Sequence, residues 1–145
     1  MYRFLEYTVG QYMTQPVQTV TPDRPLRELE LLFEKHDFNA FPIVNTAASK
    51  EMIGLVTKFD FLKVFAFSTG QLLPHYDELM NQTVQDVMVE AVVSVTPDSP
   101  LTRALQHMVN LRTRSLPVVA ANGQLVGVIA REDMMRALKD ASQAD

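Results

Sequence analysis

Apolar residues run through the same succession of periods twice along this chain. In the second half Leu101, Ala104, Leu105, Met108 and Val109 recur at the spacing of one helical face, and in the first half Leu26, Leu29, Leu32 and Phe33 do the same. Each stripe is followed by two short apolar runs of strand length, Phe41–Val44 and Ile53–Thr57, then Leu116–Val119 and Leu125–Ala130. Asn122-Gly123 separates the second pair and signals a turn. Ahead of each stripe a short extended piece ends at Val20 or Val95, before Thr-Pro-Asp. Proline disfavours helix in the residue before it and suits a helix start, so Pro25 and Pro100 mark where the helices begin. A second helix closes each half, predicted near Lys58–Phe67 and near Arg131–Ala141. The unit is β-α-β-β-α, written twice.

The residues themselves repeat. Val20-Thr21-Pro22-Asp23-Arg24-Pro25-Leu26 returns 75 positions on as Val95-Thr96-Pro97-Asp98-Ser99-Pro100-Leu101, with six of seven identical. The same offset pairs Thr8 with Thr83, Met13 with Met88, and Phe41-Pro42-Ile43-Val44 with Leu116-Pro117-Val118-Val119. After two extra residues in the first loop, Gly54-Leu55-Val56 pairs with Gly127-Val128-Ile129, and Asp60 with Asp133. The expected organisation is a first repeat over 8–67, a structured linker over 68–82 and a second repeat over 83–141. Gly70 and Pro74 break the linker, and His75–Met80 is expected to form a short helical turn. About 60 residues make a small core. The two repeats are therefore expected to pack as a pseudo-twofold pair of the α/β (α+β) class.

Composition narrows the function. The chain is 47% hydrophobic and 21% charged, ordinary for a globular domain, and its net charge of −4 runs against the basic excess of a nucleic-acid binder. It has no cysteine, which removes disulfides, thiolate metal sites and cysteine nucleophiles and fits a cytoplasmic setting. No apolar run approaches the roughly 20 residues of a membrane helix. No export signal is seen in MYRFLEYTVG. There is no G-x-G-x-x-G, no P-loop and no Ser-His-Asp order on a recognisable elbow. His36, His75 and His107 lack metal-ligand spacing with acids. Neither a metal site nor catalysis is expected.

The duplicated β-α-β-β-α unit, the Thr-Pro-Asp element, the (Leu/Phe)-Pro-(Ile/Val)-Val strand and the ending Gly54-Leu55-Val56-Thr57-Lys58-Phe59-Asp60 together resemble the CBS (cystathionine β-synthase) domain family, over about Thr8 to Lys139. The resemblance implies a tandem module with two symmetry-related clefts that hold AMP, ADP, ATP or S-adenosylmethionine. It also implies pairing into larger discs and regulation of a protein partner, here in trans and not named by the sequence.

Thr57 is expected where a strand meets a helix start, a place whose free N–H groups favour an anion, and Asp60, one turn on, can accept both hydroxyls of a ribose cis-diol. Thr57 and Asp60 also form a good helix cap, and the two roles are compatible. In the second copy Ala130 stands where the threonine would be, while Asp133 is kept. Loss of one neutral hydrogen bond to a ligand costs about 0.5–1.5 kcal/mol. Arg131 is placed to offset it at a phosphate, or else is a surface arginine. By the family's logic Thr83 joins Thr57 and Asp60 in one cleft, and Thr8 joins Ala130 and Asp133 in the other. Met13 and Met88 lie near the adenine or in the core. Arg114 precedes its strand and can reach a phosphate; Asn39 is its uncharged counterpart, and Arg112 is a weaker candidate. The clefts are expected to be unequal, with the Thr57–Asp60 one better suited to ribose.

The predicted helix KFDFLKVFAF is apolar nearly all round, so it must be covered on more than one side. Phe59, Phe61, Phe65 and Phe67 are expected either to form a homodimer surface or to lie under the linker. A CBS pair with empty clefts, acting as a structural or interaction module, is the alternative to nucleotide sensing.

Overall fold

The structure is a computed structural model and describes residues 2–66 and 76–144. A 3-10 turn at Arg3–Glu6 leads into α1 (Val9–Tyr12), α2 (Leu26–Lys35), β1 (Ala40–Val44), β2 (Met52–Thr57) and α3 (Lys58–Lys63). The second half follows as α4 (Tyr76–Met80), α5 (Val84–Val87), α6 (Leu101–Leu111), β3 (Ser115–Val119), β4 (Leu125–Ala130) and α7 (Arg131–Ala144).

Two compact units form, and they are cut differently from the sequence repeats. Unit 1 joins Met1–Val17 to Val93–Asp145; unit 2 is Gln18–Val92. Each contains the body of one repeat and the leading segment of the other. In unit 2, β1 and β2 pair antiparallel, Val20 bridges β1 in parallel, and Val89 from the leading segment of the second repeat bridges β2. In unit 1 the same roles fall to β3 and β4, Val95 and Thr14.

Hydrogen bonding explains why the leading segments settle there. A helix start leaves backbone N–H groups without partners. The Leu26 N–H donates to the Gln82 carbonyl at 2.8 Å, and the Leu101 N–H to the Tyr7 carbonyl at 3.0 Å. In return Val84 donates to Arg24 and Val9 to Ser99, at 2.9 and 2.8 Å. Further along, Leu55 and Val89 exchange both backbone bonds, as do Val128 and Thr14. Gly54 permits the first exchange: a Cβ there would lie 2.8 Å from the Val89 carbonyl oxygen. Gly127 does the same for Met13, whose sulfur would sit 2.8 Å from such an atom.

The helical stripes bury as their spacing predicts except at Val109, which is 66% exposed at the edge of its stripe. Leu26 and Leu29 are in the unit 2 core with Phe41, Ile43 and Val56, while Leu31 faces solvent. Leu101, Ala104 and Met108 pack in unit 1 with Val118, Ile129 and Ala137. Gly123 takes the positive φ of the expected turn, at 88°.

Three boundaries differ from expectation. The helix expected to reach Phe67 stops at Lys63, and Val64, Phe65 and Ala66 make three-residue bonds back to Phe61, Leu62 and Lys63. This tighter turn brings Phe61, Val64 and Phe65 against the unit 2 core, so that Phe61 and Phe65 are partly buried within the unit. Phe59 and Leu62 do stay outside, at 68% and 59% exposure. Phe67, Gly70, Pro74 and His75 lie outside the described residues. The last helix runs to Ala144, three residues beyond its expected end. Finally α1 and α5 were not anticipated, although Thr8 with Gln11 and Thr83 with Asp86 carry the capping spacing that marks them: each side chain reaches back to the cap N–H at 2.9 Å.

Candidate functional site

Each unit centres on one buried carboxylate at the start of its closing helix. Asp60 is 5% exposed and Asp133 2%. A charged group so buried must be partnered, and both are, from different directions.

At Asp60 the partners are local. Oδ2 accepts from the Thr57 N–H and the Thr57 hydroxyl, both at 2.9 Å, and the Asp60 N–H donates back to the Thr57 Oγ1 at 3.1 Å. That is a capping box, as the spacing implied. Lys63 places its Nζ 3.3 Å from Oδ1. A carboxylate offers about four acceptor positions, so one remains open.

At Asp133 the hydroxyl comes from the far end of the chain. Ala130 supplies its N–H to Oδ2 at 2.8 Å but has no side-chain donor. Thr14 fills that gap, its Oγ1 donating to Oδ1 at 3.0 Å and lying 3.3 Å from Oδ2. Arg136 adds a bond from Nη1 to Oδ1 at 3.1 Å. Its Nη2 holds the Tyr12 carbonyl at 2.8 Å, and its guanidinium lies 5.5 Å from the Tyr12 ring centre. The Tyr12 hydroxyl donates to Asp140 at 2.7 Å. Burial first, and that acceptor second, hold the phenol above its ordinary pKa. Asp133 thus receives three donors, as Asp60 does, but two of them come from residues that also hold the segment 12–14, and the cluster straps residues 12–14 onto α7.

The other expected residues divide between the two units. Unit 2 holds Thr57, Asp60, Thr83, Met88 and Asn39. Met88 packs against the unit 2 core beside Gly54. Thr83 caps α5 and is bonded to Asp86, with no hydrogen bond to Thr57 or Asp60. The Asn39 carbonyl accepts from the Lys58 N–H at 2.9 Å. Unit 1 holds Thr8, Met13, Asp133, Arg114 and Arg131. Met13 packs against that core. Thr8 caps α1 and is tied to Gln11; the threonine bonded to Asp133 is Thr14, six residues on. The Arg114 carbonyl accepts from the Arg131 N–H at 3.1 Å, which brings these two exposed arginines side by side at the start of α7. Thr14 is the residue sequence reasoning missed. Its signal was available: its repeat partner is Val89, so the hydroxyl that is missing at 130 is present at 14, and the reverse holds in the other copy.

Profile comparison settles the family, because the CBS domain profile matches residues 9–66 and again 84–140. The chain belongs to the CBS domain family. It carries two tandem CBS repeats, each with a small antiparallel sheet and helices. CBSX2 of Arabidopsis thaliana has the same fold at 27% identity, with a TM-score of 0.78 over 94% of this chain and 97% of that one. CBSX2 has also been crystallised in complex with AMP, and that structure matches at TM-score 0.76 over 94% and 98%. Among curated relatives, the chloroplastic CBSX1 of the same plant is 30% identical over 153 aligned positions, covering 90% of this chain and 64% of CBSX1. CBS repeats also occur within enzymes: a homoserine O-acetyltransferase of Methanohalobium evestigatum is 25% identical, and this chain spans 94% of its own length but only 25% of the enzyme. Among the described residues no helix is long and apolar enough to cross a membrane.

Proposed function

We propose that this CBS pair is a non-catalytic regulatory module that binds an adenine nucleotide, AMP, ADP or ATP, and acts on a separate protein. The observation that carries the reading is the open acceptor position on Asp60, in a chain whose relative CBSX2 crystallises with AMP. A ribose hydroxyl can take the open position, and a second can displace Lys63, which is half-exposed and cheaply exchanged. Asp133 has the same number of donors, but its cation, Arg136, also holds the Tyr12 carbonyl and is harder to displace than Lys63, so it is the weaker ribose acceptor, while Arg114 and Arg131 beside it suit a longer phosphate chain. Each site then joins the carboxylate of one repeat to the leading segment of the other, with Thr83 and Met88 serving unit 2, and Thr8 and Met13 unit 1. Ligand binding would act by favouring whichever conformation it fits better. The same reading makes the protein a homodimer through the α3 region, with Phe59 and Leu62 as its exposed apolar residues.

Isothermal titration calorimetry with AMP, ADP and ATP tests this. Saturable binding that Asp60→Asn removes, while the cap and the fold survive, supports it. The second reading, an interaction module without nucleotide, is favoured by the internal partners of both carboxylates. Absence of heat and of any thermal shift with all three nucleotides and with S-adenosylmethionine would establish that reading instead.

A further inference from the structure

The cation one helical turn after each buried carboxylate is anchored in two different ways. Lys63 and Arg136 are repeat counterparts, each three residues beyond its aspartate, at 3.3 Å from the Asp60 Oδ1 and 3.1 Å from the Asp133 Oδ1. Both also lie over an aromatic ring, Lys63 at 5.4 Å from the centre of Phe59 and Arg136 at 5.5 Å from that of Tyr12. Phe59 belongs to the same helix as Lys63 and faces solvent, so the lysine can swing away and disturb nothing else. Tyr12 belongs to α1, 124 positions from Arg136, and its carbonyl accepts from the Arg136 Nη2 at 2.8 Å. Asp140, one turn further along α7, takes the Tyr12 hydroxyl at 2.7 Å. The turn that carries Tyr12 and Met13 is fixed at both ends by other bonds. Upstream the Gly10 N–H donates to the Pro97 carbonyl at 2.8 Å, and downstream Thr14 and Val128 exchange backbone bonds at 2.8 and 3.1 Å. Between those ends, the polar hold on α7 runs through Arg136 and Asp140.

We propose that this turn is a latched flap on the unit 1 site, and that a ligand which takes the Asp133 acceptor from Arg136 unlatches Tyr12 and Met13. The inference rests on the nucleotide reading above and adds its regulation. The two bonds leave one rigid planar fork, from Nη1 to Asp133 and from Nη2 to Tyr12, so turning the guanidinium off the carboxylate breaks the Tyr12 bond as well. A lysine is a point charge on a flexible stem and passes no such movement on. Filling the unit 1 site therefore changes the surface around α1, whereas filling the unit 2 site moves one exposed side chain. The latch must open before the ligand is held, which lowers the apparent affinity of unit 1 by the fraction of time it is open. The two sites then answer different ligand levels, and the flap responds at the higher one.

Calorimetric titration of the full chain with AMP, with amide exchange measured at each level of filling, tests it. The parent is expected to show a tight phase, which Asp60→Asn removes, and a second phase about tenfold or more weaker. Filling the second should quicken exchange at Tyr12 and Met13, while Gly10 and Thr14, at the fixed ends, stay protected. Arg136→Lys keeps the charge and rebuilds the Lys63 arrangement. Its second phase should tighten about three- to tenfold, and Tyr12 should already exchange faster without ligand. If the parent shows the tight phase alone, Arg136→Lys should reveal the second. A second phase that Arg136→Lys neither tightens nor reveals, or one whose filling leaves exchange at Tyr12 and Met13 unchanged, would overturn the flap and leave nucleotide binding at unit 2 standing. A chain that binds no AMP, as parent or as Arg136→Lys, would remove the nucleotide reading and the flap with it.

Discussion

Asp60 and Asp133 occupy one position in two copies of the same unit, yet the first is held by its neighbours in sequence and the second by a residue 119 positions away. The difference is a hydroxyl that has moved. Thr57 donates to Asp60 from within the strand–helix junction, and the corresponding edge position, Val89, has none to give. At Asp133 the junction residue is Ala130, and the edge position is Thr14. What the fold requires is a donor to a buried carboxylate, not a threonine at a set place. The consequence is unequal coupling. Asp60 stabilises its own helix start, whereas Asp133 also fastens residues 12–14 to the body of unit 1.

The sharpest way to break this comparison is to remove each carboxylate. Asp133→Ala strands Thr14, Arg136 and the Ala130 N–H together and is expected to cost about 2–3 kcal/mol; Asp60→Ala, chiefly the loss of a cap, about 1–2 kcal/mol. Thermal or urea denaturation reads the order, and equal costs would mean that the remote strap adds nothing. Amide exchange should also quicken in residues 9–17 of the Asp133 variant, and the Asp60 variant should leave that segment protected.

Moving the hydroxyl back is the next test in size. Thr14→Val should lose about 1 kcal/mol, and adding Ala130→Thr should recover most of it by rebuilding the local arrangement seen at Thr57. The coupling from that double-mutant cycle should be favourable, on the order of 0.5–1 kcal/mol. Strict additivity would deny that the two positions substitute for each other.

The smallest effects belong to the cations. Arg136→Gln should cost about 1 kcal/mol, because the guanidinium holds the Tyr12 carbonyl as well as Asp133. Lys63→Gln, which removes one half-exposed ion pair, should fall within about 0.5 kcal/mol of the parent. In calorimetry the lysine variant is expected to bind AMP no more weakly than the parent, and a large loss would assign Lys63 to the ligand.

Much of this was legible in advance. The stripe Leu101, Ala104, Leu105, Met108 and the paired apolar runs gave the strands and helices because burial on one face imposes a period that any short window reveals. Asp60 and Asp133 were legible because duplication marks them. Two things were not. KFDFLKVFAF reads as one continuous apolar helix, yet it turns after Lys63, because Phe61 and Phe65 gain more by packing inward than by extending the helix. Thr8 rather than Thr14 was expected at the second site, since Thr8 is the residue that repeats.

The sequence by itself determined the duplicated β-α-β-β-α unit, its turns and the two carboxylates, all written in contacts between residues close along the chain. Only the tertiary structure decided which leading segment completes which body, and hence that Thr14 answers for Ala130. Those choices depend on helix-start N–H groups finding carbonyls about 55 to 95 residues away and on two glycines that let a distant backbone or side chain come close. Such partners leave no period in the chain, and only folding brings them within a hydrogen bond's length.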